Sequence, residues 1–271
     1  MKHLNLFENE ALYEAFKSGS DFVLPNVSFV EDVRKLYYNP FVAEPSYVIQ
    51  ATYKSESWMD SLTIVKADDS VKSVKVNGVL LPKPQSNFYI TEITGVEEYN
   101  VEIELNTSDI KKYLFSAADG LRTVVIPEGV TSICDNAFSN SEQSGKLTSV
   151  TLPNSLRSIG SHAFSFNYSL TSITIPEGVT SIGSYAFYDT SIKSITLPES
   201  ITELENYALE DIRGLNEIIC MGRIAPNNIE NARTWWSCSG VFKYPAGADY
   251  SVVVNKIYAE PDILSWTAEE F

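Results

Sequence analysis

From Leu121 onward the apolar positions of the chain recur with a fixed period. Aligned on a leading aliphatic residue, Leu121-RTVVIPEGVTSICDNAF, Leu147-TSVTLPNSLRSIGSHAF, Leu170-TSITIPEGVTSIGSYAF and Ile192-KSITLPESITELENYAL superimpose, and Leu215-NEIICMGRIAP begins the pattern before departing from it. Successive starts lie 26, 23, 22 and 23 residues apart. A period of this length marks a solenoid, in which each unit is one coil. The unit reads LxxIxLPxxLxxIxxxAF. In the second coil, Leu147, Val150 and Leu152 are expected to point inward from a strand and the turn before it, and Pro153 to end the strand because it has no N–H to donate. Leu156 and Ile159 form a second inward pair, and Ala163-Phe164 closes the coil. One such coil cannot bury its own apolar edge, so its neighbours must. The pattern therefore predicts Leu121, Leu147, Leu170, Ile192 and Leu215 buried in register in one parallel sheet. Phe138, Phe164, Phe187 and Leu209 should form a column. The extra residues of the first unit fall in the polar stretch 139–146, where an insertion does least harm. Shifting the template back by one period puts Val101, Ile103, Ile110, Leu114 and Phe115 inward, as a degenerate capping coil.

Upstream, residues 42–105 alternate in strand fashion through SYVIQATY, SLTIVK, VKSVKV, NFYITEI and NVEIEL, which reads as a small antiparallel β-sandwich. Asn77-Gly78 is a two-residue hairpin signal, because a type I′ turn needs positive φ at both central positions. At the N-terminus, Asn9 to Lys17 carries Leu12, Ala15 and Phe16 on one face, as a short amphipathic helix does.

The repeats resemble the BspA-like leucine-rich repeats of Bacteroidales proteins over residues 109–220. The tail, 221–271, is similar to the segment that follows those repeats and is expected to cap the solenoid. Residues 42–108 resemble the immunoglobulin-like modules that precede them. The expected architecture is mainly β, an immunoglobulin-like antiparallel β-sandwich followed by a leucine-rich-repeat solenoid with a parallel sheet. Residues 1–41 resemble leaders of structural proteins from Bacteroidales phages of the crAss-like kind. That resemblance implies a virion component, made in the host cytoplasm, whose leader docks to other structural proteins of the particle. The alternative it leaves is a BspA-type adhesin of the bacterial cell surface, from a family whose members bind host matrix proteins or other bacteria.

Composition narrows the function classes. Lys and Arg number 20 against 35 Asp and Glu, a net charge of -15, which repels phosphate backbones and argues against nucleic acid. No apolar run reaches the roughly 18 to 20 residues of a membrane span, and the N-terminus has acids where a signal peptide needs an apolar stretch. Cys134, Cys220 and Cys238 are odd in number and form no CxxC pair, so they read as free thiols rather than a disulfide or zinc framework. Catalysis by a Ser or Cys nucleophile wants a histidine base, and only His3 and His162 exist, the latter in the variable slot before Ala163-Phe164. The acid pairs Asp68-Asp69, Glu97-Glu98 and Glu269-Glu270 are sequence neighbours, which do not converge on a substrate as glycosidase carboxylates must. The chain is thus expected to be no enzyme and to need no cofactor, with calcium between coils and a homo-oligomer left open. Two features could carry binding of a protein or glycan. One is the outward ladder of Thr123, Ser149, Thr151, Ser172, Thr174, Ser194 and Thr196, since solenoids recognise ligands along extended faces. The other is Trp235-Trp236 in the tail, whose rings could stack on a sugar or a partner.

Overall fold

A computed structural model of the chain describes residues 46–56, 59–93, 97–140, 145–227, 229, 240–259 and 266–271. The expected leader helix, the docking segment 1–41, Trp235, Trp236 and Cys238 lie outside the described residues. Ser46–Phe271 forms one compact unit.

All five upstream strand segments are strands: β1 (Tyr47–Lys54), β2 (Ser61–Lys66), β3 (Val71–Val76), β5 (Phe88–Glu92) and β6 (Glu98–Leu105), with the short β4 (Val79–Leu80) after the hairpin turn. Asn77 and Gly78 have φ of 49° and 79°, the left-handed pair that turn demands. β1, β6, β3 and β4 pair antiparallel in that order, and β2 pairs with β5 in a second sheet. Ile49, Ala51, Tyr53, Leu62, Ile64, Val74, Val101 and Ile103 fill the space between, as the period-two alternation dictates.

The coils follow. Their first arms are β8 (Leu121–Val125), β10 (Ser149–Thr151), β13 (Ser194–Leu197) and β15 (Glu217–Cys220). Their second arms are two-residue strands: β7 (Asp109–Ile110), β9 (Ser132–Ile133), β11 (Ser158–Ile159), β12 (Ser181–Ile182) and β14 (Glu203–Leu204). These five form a parallel sheet of their own, with Ile or Leu inward at the second position of each strand. Pro127, Pro153, Pro176 and Pro198 stand where the template expects them, beyond the first arms.

Burial follows the template. Leu121, Leu147, Leu170, Ile192 and Leu215 are all buried, as are Leu156 and Ile159. The aromatic column is present and extends one coil further toward the N-terminus than Phe138. Phe115, Phe138, Phe164 and Phe187 stack with centroid separations of 4.7, 5.3 and 5.8 Å and interplanar angles of 10°, 4° and 2°. Beside the column, buried polar side chains occupy the backbone carbonyls of the corners. The Nδ2 group of the fully buried Asn167 donates to Phe138 O and Phe164 O, each at 2.9 Å, and its Oδ1 accepts from Asn140 Nδ2 at 2.9 Å. Thr190 Oγ1 donates to Phe187 O at 2.8 Å in the next coil.

Three expectations are corrected. The first arms do not share one parallel sheet: β10 and β8 lie in one sheet, β13 and β15 in another, and Thr171–Ile175 between them belongs to no ladder. Ile173 and Ile175 are nonetheless buried there, so packing rather than pairing carries the coil through. The capping coil is only half a coil. Ile110, Leu114 and Phe115 take their template places, but Val101 and Ile103 sit in the sandwich, and the strand beside β8 is β1, running antiparallel with Ala51 opposite Val124. The tail does not close the parallel sheet but adds to it, since β16 (Val241–Tyr244) pairs with β15 and β17 (Thr267–Glu270) with β16. A helix, α1 (Ser251–Ala259), lies between these two strands in sequence. The variable slot before Ala-Phe accepts different residue types but one conformation: Tyr113, Asn136, His162, Tyr185 and Tyr207 all have φ between 54° and 68°.

The junction of sandwich and coils carries an ionic clasp. Glu56 Oε1 accepts from Arg122 Nη2 at 2.7 Å and from Lys146 Nζ at 2.9 Å. Lys146 first, then Arg122, hold the Glu56 carboxyl below the usual glutamate range. A carboxyl whose pKa is depressed on folding contributes stability that is present above its unfolded pKa and lost as pH falls through the folded value. Thermal melting of the parent and of Glu56→Gln should therefore differ at neutral pH and converge on acidification below the normal glutamate range. Curves that stay parallel at all pH would leave the clasp without effect.

Candidate binding surface

The outward positions of the first arms form two rows that can be followed from strand to strand. Thr52 of β1 stands opposite Thr123, which stands opposite Ser149, while Gln50 is opposite Val125 and Val125 opposite Thr151. Ser172 and Thr174 continue the rows in the coil without a ladder, and Ser194 and Thr196 in β13 stand opposite Glu217 and Ile219 in β15. Period-two alternation produces the rows, because the residue between each pair points into the core: Ala51, Val124, Val150, Ile173 and Ile195 are buried.

The predicted ladder residues are not equivalent. Ser149, Thr151, Ser172, Thr174 and Thr196 are exposed, whereas Thr123 and Ser194 are half-buried and already engaged. The Thr123 and Thr52 hydroxyls share a hydrogen bond of 2.8 Å, and Ser194 Oγ donates to Glu217 Oε2 at 2.8 Å. The structure adds Gln50 and Thr52 to the face. Their alternation was visible in the sequence, but nothing local shows that β1 would lie against a strand 70 residues away.

Charge bounds the rows at both ends. Beyond β1, Glu102 is opposite Gln50 and Glu104 opposite Val48, and they pair with Lys75 at 3.3 Å and Lys72 at 2.8 Å. Lys72 and Ser73 hold the Glu104 carboxyl below the usual range. Beyond β13, Glu217 pairs with Lys243 at 2.8 Å, and Lys243 lowers the Glu217 pKa while its own is raised. Between Gln50 and Thr196 every residue on the two rows is uncharged.

Other candidates occupy less eventful places. His162 is half-buried, with its ring stacked on Tyr185 at 5.0 Å; burial, partly opposed by Asp135, lowers its pKa. Cys220 is buried and its thiol is pushed up to about 12 by desolvation, while Cys134 is half-buried. Asn167, the acceptor position of the glycosylation sequon Asn167-Tyr168-Ser169, has no exposed surface. Among the described residues no group of three or more His, Cys, Asp or Glu side chains could hold a metal ion, and no helix is long and apolar enough to cross a membrane.

A row of aromatic side chains on the opposite arm of the coil escaped sequence reasoning. The left-handed slot stacks His162 on Tyr185 and Tyr185 on Tyr207, at 5.0 and 5.2 Å, and Tyr188 meets Tyr185 edge-on at 5.7 Å. Only the repetition of large rings at one template position hinted at it.

Residues 85–216 match the model of the BspA type leucine rich repeat region, in six copies. No curated protein matches the chain. Among solved structures the chain is similar to a leucine-rich repeat protein from Bacteroides ovatus ATCC 8483, at 22% identity and a TM-score of 0.44 over 65% of this chain and 47% of that one. It is also similar to the pneumococcal vaccine antigen PcpA, at 20% identity and a TM-score of 0.45 over 61% of this chain and 40% of that one. A third is a leucine rich cell surface protein from Faecalibacterium prausnitzii A2-165, at 22% identity and a TM-score of 0.41 over 63% of this chain and 42% of that one. The chain thus spans less than half the length of each of these. The leader that suggested a virion component lies outside the described residues. The coils and the short sheets that they stack into make up most of the segment that matches the BspA-type leucine-rich-repeat model.

Proposed function

We propose that the protein is a non-catalytic binding protein of a bacterial cell surface, an adhesin that presents the Ser/Thr face of its solenoid to a protein or glycan. The observation that carries this reading is the uncharged double row from Gln50 to Thr196 on a chain of net charge -15. A surface left uncharged while the rest of the chain is strongly acidic avoids both repulsion of a partner and desolvation of its own carboxylates on contact. The BspA-type match over residues 85–216 supports the surface setting over the virion setting expected from the leader.

The test uses the fluorescently labelled full chain and intact bacterial and animal cells, read by flow cytometry. Thr151→Ala with Thr174→Ala should melt within about 0.5 kcal/mol of the parent, as exposed substitutions do. Thr151→Lys with Thr174→Lys places two ammonium groups in the middle of the rows and should abolish cell binding without lowering the melting temperature. Binding of the lysine variant at the parental level would reject the face.

A further inference from the structure

We propose that the second arm of the coils carries a separate docking surface, built from the stacked aromatic row and the serine-lined trough beside it, for a folded protein partner with a positively charged patch. The trough, about 490 Å³ in volume, runs over Ser132, Ser158, Ser161 and Ser181, with Gly160 and Gly183 on its floor. His162, Tyr185 and Tyr207 follow directly along the chain from its edge, and Tyr188 extends the row sideways.

Two independent observations point to recognition. The first is where the rings stand. His162, Tyr185 and Tyr207 have φ of 54°, 57° and 68°, a left-handed region that disfavours a side chain with a Cβ and that glycine or asparagine occupies more cheaply. Asn136 shows the cheaper solution at the same template position, with φ of 56°. The second is composition. Rigid half-buried tyrosines beside adaptable serine hydroxyls and glycines are the residue set that protein-binding surfaces use, because tyrosine offers contact area at small entropic cost.

Charge selects the partner. Asp135, Glu203 and Glu205 line the trough, where Lys112 pairs with Asp135 at 3.5 Å, and beyond the ring row Asp211 stands near an Asp189 that is paired with Arg213, so Glu203, Glu205 and Asp211 supply the negative rim. Glu205 Oε2 is held outward by Ser184 N at 2.8 Å and Ser161 Oγ at 3.1 Å. A basic patch fits this rim, whereas a second copy would bring acid against acid. A sugar ring is disfavoured because it stacks on ring faces, and here the faces of Tyr185 are covered by His162 and Tyr207.

The probe is a displayed library of a small three-helix scaffold, with interface positions randomised evenly among acidic, basic, aromatic and small residues, selected on the full chain. Most selected clones should carry a net positive interface. They should lose at least tenfold in affinity for Tyr185→Asn with Tyr207→Asn, and a similar factor for Glu205→Gln with Asp211→Asn. They should bind the Thr151→Lys, Thr174→Lys variant unchanged, which separates this surface from the Ser/Thr face. Asparagine retains the left-handed slot, and melting curves confirm that each variant folds. The proposal is overturned if clones map evenly over the molecule, if their interfaces are not basic, or if the asparagine variant binds them as well as the parent. It is equally overturned if the full chain dimerises by sedimentation, or binds a glycan array, in a manner lost in Tyr185→Asn with Tyr207→Asn.

Discussion

Replacing Phe164 with alanine should cost about 3 to 5 kcal/mol, read as a lowered midpoint in chemical denaturation, because the substitution removes a fully buried ring and leaves a cavity that the neighbours cannot fill. The neighbours cannot close it for a geometric reason. Phe138 and Phe187 lie 5.3 and 5.8 Å away on either side, almost parallel to Phe164, and each is held in its own coil by an Ala-Phe corner. Moving one ring into the gap would mean moving its coil. In a nearly one-dimensional array each coil contacts chiefly the coils beside it, so the loss should also uncouple the two halves and broaden the transition. A Phe164→Ala protein that melts like the parent would contradict the stacked-coil arrangement.

The second large effect is expected at Asn167. Asn167→Leu keeps the branched shape but removes the amide that serves Phe138 O and Phe164 O and the carbonyl that receives Asn140 Nδ2. Buried polar groups left without partners cost about 1 to 3 kcal/mol each, so a total of several kcal/mol is expected, comparable to the loss of a core ring. Asn167→Thr should be milder, since Thr190 serves the Phe187 carbonyl in the following coil with its hydroxyl and its own N–H. A leucine variant more stable than the threonine variant would show that filling the site, not hydrogen bonding, sets the requirement. Between them, Phe164 and Asn167 distinguish two ways in which a coil is tied to the next, one apolar and one through the backbone.

Which parts of this molecule could be read from its sequence follows from how each is encoded. Burial repeats itself every coil, so Leu147, Leu156, Ile159 and Phe164 announce their places by spacing alone, and the proline after each first arm marks the turn. The left-handed slot was hidden because Asn, His and Tyr appear there, residue types that do not together suggest positive φ. The interrupted ladder at Thr171–Ile175 was hidden for the opposite reason. Its sequence, TSITI, is almost that of Thr148–Leu152, TSVTL, which does pair, so no local property separates them. The place of β1 beside β8 could not be read locally at all, since it depends on which of two strands, Tyr47–Lys54 or Glu98–Leu105, reaches the first coil. For the candidate face, residue types and periodicity were sufficient to name the outward positions. They were not sufficient to show that Thr123 and Ser194 spend their hydroxyls on neighbours while Thr151 and Thr174 do not.

The antiparallel contact of β1 with β8 has a bearing on how such a chain can change in length over evolutionary time. The flank of β8 that an added preceding coil would need is occupied by a strand of opposite direction, itself paired on its far side with β6. Duplicating a coil ahead of Leu121 would displace that strand and expose the sandwich core. Duplicating one between Leu147 and Leu215 would disturb neither the β1 pairing nor the strands β16 and β17, because the second arms there pair parallel from β11 through β12 to β14. Lineages related to this protein should therefore differ in coil number by insertions within the array, each adding one more pair of outward hydroxyl positions, while the first coil keeps the residues that receive β1.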